Sequence, residues 1–254
     1  MRILVTSSKG GIGKSTLSAG LALAFAEMGR RVLLADCDPG GRSLDLLLGE
    51  ESRVLFDIGD VAIGRSSPSG ALLNPWKMVN LYFCPAPSVQ FQTDADSGAL
   101  ISALKTLEAE TGAQHVICDT AGMIYAPDIA AGYADVALVL STQQPASVRA
   151  AEDTAMLLHG RGLRDARLVI SAFEWKAAVK GRRAGILDII DGTGVQCAGV
   201  VPYDRALMLC GETGDPPPGE CQGMRAYRNI ASRLEGEQVR LFSGISGISG
   251  RRAL

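Results

Sequence analysis

Short runs of apolar residues alternate along the chain with longer stretches in which apolar side chains recur every three or four positions. Residues 3–6, 32–35, 81–84, 115–118, 136–140, 168–171 and 198–201 are short, rich in Val, Ile and Leu, and lack polar alternation. Strands buried on both faces read this way. Between them, Leu17, Leu21, Ala24, Phe25 and Met28 share one helical face that Gly29 closes. Leu100, Ala103, Leu104 and Leu107 mark a second helix before Gly112, and Val148, Ala151, Ala155 and Leu158 a third before Gly160. Met224, Tyr227, Ile230, Ala231 and Leu234 mark a last one. Strand–helix alternation predicts an α/β fold: a single domain with a mostly parallel twisted sheet, joined by right-handed crossovers and covered by helices on both faces. Neither 64–70 nor the proline run 215–219 is long enough to link two domains, so residues 1–235 are expected to form one domain and 236–254 a tail.

Composition narrows the class. A chain of 254 residues that is 47% hydrophobic and 20% charged buries a full core without disulfides. That content excludes a disordered chain, and no run of about 18 apolar residues is free of charges and turn formers. The net charge of −2 argues against a general nucleic-acid coat. It is unevenly spread: 224–254 carries six arginines against Glu235 and Glu237, a local +4 on a body of −6. The six cysteines form no C-x-C or C-x-x-C pair and read as reduced thiols. With no signal-peptide pattern at the start, a cytoplasmic protein is expected.

Chemistry enters at Lys9-Gly10-Gly11-Ile12-Gly13-Lys14-Ser15-Thr16, between the first strand and the first helix. Glycines allow backbone N–H groups to approach phosphate oxygens without a Cβ clash, and the helix opening at Lys14 adds its positive end. Lys14 suits the β- and γ-phosphates, and Ser15 offers Mg2+ a hard oxygen. The glycine spacing and the Lys-Ser pair exclude a dinucleotide fold.

The lysine at position 9 has no role in an ordinary phosphate loop. This loop resembles the deviant Walker A motif of the MinD/ParA/Mrp family of ATPases, and the resemblance, closest to the MinD-type branch, covers nearly the whole chain. In that family the extra lysine crosses a dimer interface to the partner's nucleotide, so the resemblance gives Lys9 a catalytic role in trans, as an arginine finger has. The stretch from Asp36 to Gly49 is similar to the branch's first switch. It implies that Asp38 orients the attacking water and Asp36 holds the Mg2+ shell. Asp119-Thr120-Ala121-Gly122 is similar to the second switch, with Asp119 reaching Mg2+ through water and the Gly122 N–H sensing the γ-phosphate. The proline usual in that switch is missing. Residues 141–150 are similar to a segment near the family's dimer and partner surface.

At the end of the sixth run the family has Asn followed by Arg or Lys, whereas this chain has Ser171, a hydroxyl that donates or accepts without selecting a base. Gly199-Val200-Val201-Pro202 matches the family turn whose backbone borders the base. ATP rather than GTP therefore follows from the resemblance alone. Leu241, Phe242, Ile245 and Ile248 fall at helical spacing between Arg240 and Arg251–Arg252, as in the short basic helix by which the MinD-type branch attaches to anionic membrane. Three interspersed glycines each cost a helix about 1 kcal/mol, so an unstructured tail is the competing reading. Two copies in a dimer would bind by avidity.

Together these features imply a slow, Mg2+-dependent ATPase that dimerises with ATP and positions partner proteins at the membrane, as in division-site placement. It would act in the cytoplasm and peripherally on the cytoplasmic face of the inner membrane, with an unidentified protein activator or cargo. The alternatives are a partition ATPase that binds DNA nonspecifically, against which the acidic body counts, and a regulator of flagellar or pilus placement. A metal or cluster loader would need the cysteine pairs this chain lacks.

Overall fold

The computed structural model describes residues 1–39, 41–87, 94–120, 122 and 124–246. All seven apolar runs are strands: β1 (Arg2–Thr6), β2 (Val32–Asp36), β3 (Leu81–Cys84), β4 (His115–Asp119), β5 (Val136–Ser141), β6 (Ala166–Phe173) and β7 (Gln196–Pro202). They form one sheet in the order β3-β2-β4-β1-β5-β6-β7, and every pairing is parallel. Successive side chains leave opposite faces, so Ile3 and Val5 enter one core and Leu4 the other. Both faces are covered, which is why the strands show no polar alternation.

The helices are α1 (Lys14–Glu27), α2 (Ser43–Leu47), α3 (Ile58–Ala62), α4 (Asp94–Thr111), α5 (Ala126–Gly132), α6 (Pro145–Gly160), α7 (Trp175–Val179), α8 (Ile186–Thr193), α9 (Arg205–Thr213) and α10 (Gln222–Leu234). The four long helices read from periodicity are α1, α4, α6 and α10. The six others span five to nine residues, too few turns for an apolar stripe to show. Helices α1, α2, α9 and α10 feed one core cluster, and α3 to α8 the other.

Helix α1 is enclosed. Every residue from Leu17 to Ala26 is buried, against the sheet on one side and α10 on another. Gly20 permits the contact with α10, since a Cβ at that position would fall inside the Tyr227 ring.

The described part of the tail, residues 237–246, matches neither sequence reading: it is non-helical, with a turn at 241–244, and it folds back along α10. Gln222, Arg225, Asn229 and Arg233 lie on one stripe of α10. Arg233 donates to the carbonyls of Val239 (3.0 Å) and Arg240 (2.7 Å). Asn229 donates to that of Ser243 (2.8 Å) and Arg225 to that of Gly244 (2.7 Å). Gln222 accepts from the Ser246 N–H and donates to its hydroxyl. Leu241 and Phe242 pack on one core cluster and Ile245 on the other. The Phe242 ring meets Trp175 edge-on at 5.7 Å. The expected shared lipid face of Leu241, Phe242 and Ile245 is therefore not formed, because burial against the domain outweighs a glycine-weakened helix. Ile248 lies outside the described residues.

Gly20→Val forces a branched side chain against the fully enclosed Tyr227 ring. It is expected to destabilise the fold by about 1–3 kcal/mol, read as a lowered midpoint of denaturant unfolding.

Candidate functional site

The site forms at the carboxyl end of β1, where the chain order in the sheet reverses and open α/β folds leave a crevice. Gly11 (φ 68°) and Gly13 (φ 94°) take left-handed conformations that bend the backbone directly into α1. Gly13 is the N-cap and supplies no side-chain acceptor, so the first-turn N–H groups of α1 stay available to an anion. The Lys14 ammonium lies 3.4 Å from the Lys9 carbonyl, inside the loop. The Lys9 ammonium instead reaches out to Gln144 Oε1, at 2.5 Å. Ser8 adds a hydroxyl bond to the Ala150 carbonyl and an N–H bond to Thr154 Oγ1, so the opening of the loop leans on α6.

Asp36 and Asp119 end neighbouring strands in direct register, each 1% exposed. Asp119 accepts from Ser18 (2.9 Å) and is bonded by Ser15, whose Oγ lies 2.9 Å from Ser43 Oγ at the start of α2. Asp36 Oδ1 accepts the Asp38 N–H, while Oδ2 is buried with no hydrogen-bond partner. Burial, and then the negative charge of Asp119, hold the Asp36 carboxyl well above the usual carboxylate range. Burial raises Asp119 to about 6, against the opposing hydrogen bonds of Ser15 and Ser18. Two buried carboxylates beside a serine hydroxyl, one with an orphaned oxygen, suit Mg2+: the cation takes hard oxygens, and its charge removes their repulsion. Among the described residues no group of three His, Cys, Asp or Glu could cage a metal. Mg2+ commonly binds through one or two carboxylates plus substrate phosphates, so no such cage is required.

Asp38 stands on the turn after β2, where its Oδ1 accepts the Gly41 N–H at 3.0 Å. Gly122 (φ 49°) lies against the Ser7 carbonyl, and its own carbonyl accepts from Thr6. The segment expected to be the second switch therefore touches the phosphate loop at its root.

Beyond the loop a cavity of about 590 Å3 runs from Gly10–Gly13 towards Ser171, Pro202 and Met208. The structure thus gathers the loop, Ser171 and Pro202 around one space, with Asp36 and Asp119 at the adjoining strand ends. Sequence reasoning missed Gln144, Tyr203, Met208 and the ion pair Glu174–Arg183 at this cavity. Gln144 lies in the 141–150 stretch, but nothing in that stretch points to this cavity. The fold brings these residues together.

The family model for the CobQ/CobB/MinD/ParA nucleotide binding domain matches residues 3–217. The chain belongs to this family. Septum site-determining protein MinD of Bacillus subtilis is 32% identical over 244 residues, covering 94% of this chain and 90% of that one. MinD of Helicobacter pylori is 28% identical, covering 97% and 98%. The MinC:MinD cell division protein complex of Aquifex aeolicus contains a chain that superposes with a TM-score of 0.85 at 28% identity, covering 94% and 97%. MinD complexed with Mg-ADP from Pyrococcus horikoshii has the same fold, with a TM-score of 0.74 at 22% identity. As in other members of the CobQ/CobB/MinD/ParA family, the site is built to bind a nucleotide. No helix among the described residues is long and apolar enough to cross a membrane.

Asp36→Asn replaces a carboxyl that burial and Asp119 force to hold a proton in the folded state by a neutral amide. It is expected to raise the melting temperature of the nucleotide-free protein and to shrink the further rise produced by Mg2+ with ADP, both read by thermal denaturation.

Proposed function

We propose that this protein is a MinD-type ATPase: a Mg2+-dependent switch that dimerises with ATP, hydrolyses it slowly, and positions partner proteins at a membrane surface, as in division-site placement. The observation that carries the reading is the separation of the two loop lysines. Lys14 stays within the loop, where phosphates would lie, while Lys9 leaves the loop for Gln144 on the cavity wall. A lysine that opens a phosphate loop but is held outside its cradle would exchange Gln144 for a neighbouring subunit's nucleotide.

In this reading the loop N–H groups and Lys14 hold the β- and γ-phosphates. Ser15, with Asp36 and Asp119, holds Mg2+, which neutralises charge on the phosphates. Asp38 orients the attacking water, Gly122 registers the γ-phosphate, and Lys9 of the second copy stabilises the charge that develops on the transferred group. The partner is a protein activator or cargo, consistent with a MinC:MinD complex among similar structures.

Membrane contact requires the tail to change state. Leu241, Phe242 and Ile245 are engaged by the domain, so the same side chains reach lipid only after the contacts with α10 and Trp175 are released. Because the stripe on α10 binds tail carbonyls, it holds the backbone whatever side chains the tail carries.

Lys9→Ala is expected to lower kcat by about 100-fold while leaving ADP affinity near wild type, as loss of one preorganised charge at a transition state does. Mixing Lys9→Ala with Lys14→Ala subunits should restore part of the activity, because each mixed dimer keeps one complete site. A mixture as inactive as its components would refute action in trans. In sedimentation with anionic phospholipid vesicles, ATP is expected to increase pelleting of the full chain, and truncation after Gly236 to abolish it. Retention on DNA with ATP, lost steeply with salt, would favour the partition reading instead.

A further inference from the structure

The family's strand-end amide is replaced here by Ser171, which leaves base recognition unassigned. The Ser171 hydroxyl lies over the phosphate loop, 3.1 Å from where a Cβ on Gly13 would stand. It therefore belongs to the loop end of the cavity. At Ala172 the backbone turns left-handed (φ 50°), and the pairing of β6 with β7 shifts register between Ile170 and Phe173. Such a bulge re-aims the residues that follow. Phe173 goes into the core and Glu174 onto the cavity wall.

Glu174 is held there from two sides. Gln143, 3% exposed, accepts the Glu174 N–H at 2.8 Å and donates to the Ala184 carbonyl at 2.9 Å. One buried amide thus pins the backbone at Glu174 and next to Arg183. The two side chains close the gap as an ion pair at 2.8 Å, and both line the cavity. Asp204, on the same cavity, spends its oxygens on the N–H groups of Ala206 and Gly223, and Met208 adds an apolar surface.

We propose that the Glu174–Arg183 pair reads the purine of the bound nucleotide, with Glu174 accepting a hydrogen bond from the exocyclic amine of adenine. Arg183 orients the carboxylate through the ion pair. At the same position guanine presents a carbonyl oxygen, which the carboxylate repels. The pair is therefore a specificity determinant that Ser171 does not supply. This rests on the nucleotide filling the cavity beyond the phosphate loop.

Calorimetric titration of the full chain with ADP, GDP and purine riboside 5′-diphosphate, which lacks the amine, tests it without hydrolysis. A charge-assisted hydrogen bond should favour ADP over the amine-free analogue by about tenfold or more. Glu174→Ala should bring that ratio near one and relieve the rejection of GDP, and Glu174→Gln, which keeps an acceptor, should fall between. Melting temperatures establish that each variant is folded. A ratio unchanged in Glu174→Ala, or an equal loss for all three nucleotides as a ribose contact would produce, overturns the inference. ADP binding that ignores the amine in the wild-type protein overturns it while leaving the ATPase reading intact. Failure to bind any of the nucleotides overturns both.

Discussion

One backbone bend governs this structure: the turn at Gly11 and Gly13 that converts the central strand β1 into the enclosed helix α1. Both partners of the bend are immobilised. β1 is paired on both sides, and α1 is buried along ten consecutive residues between the sheet and α10. The amides at the start of α1 therefore keep their direction without a ligand. Preorganised donors of this kind need no rearrangement when charge develops near them, which is what phosphoryl transfer demands of a protein.

Next to this rigid cradle stands an arrangement that costs stability. Asp36 and Asp119 end adjacent strands, both buried, with one carboxylate oxygen unpartnered. A parallel sheet delivers two strand ends to the same edge in register, so repulsion follows directly from placing an acid on each. Asp36 and Asp119 would hold a divalent cation, whose positive charge would relieve it. In the proposed function, Mg2+ with nucleotide would complete the charge balance here, and the two segments that follow these acids would respond to them.

The tail follows a related economy. Leu241, Phe242 and Ile245 are apolar enough to seek lipid, yet they cover apolar surface on both faces of the sheet while α10 binds the adjoining carbonyls. The lipid insertion proposed for the tail would draw on the same side chains as its docking, so the two would be alternatives.

The seven strands and four long helices were legible because double burial and 3.6-residue periodicity both leave patterns within a single segment. The phosphate loop was legible for the same reason: its chemistry is contained in eight consecutive residues after a strand. The short helices were not, because five to nine residues hold too little period. Periodicity did not show how residues 237–246 dock, since it reports how a segment could fold alone and not what surface lies beside it. The pairing of Asp36 with Asp119 depended on strand order, the reach of Lys9 to Gln144 on the placement of α6, and the Glu174–Arg183 pair on Gln143 joining two distant loops. The sequence by itself determined the elements and the anion-binding bend, which rest on local backbone and burial preferences. Tertiary structure alone decided the proximity of Asp36 and Asp119, the cavity wall beyond the loop and the state of residues 237–246, because each depends on contacts between residues far apart in the chain.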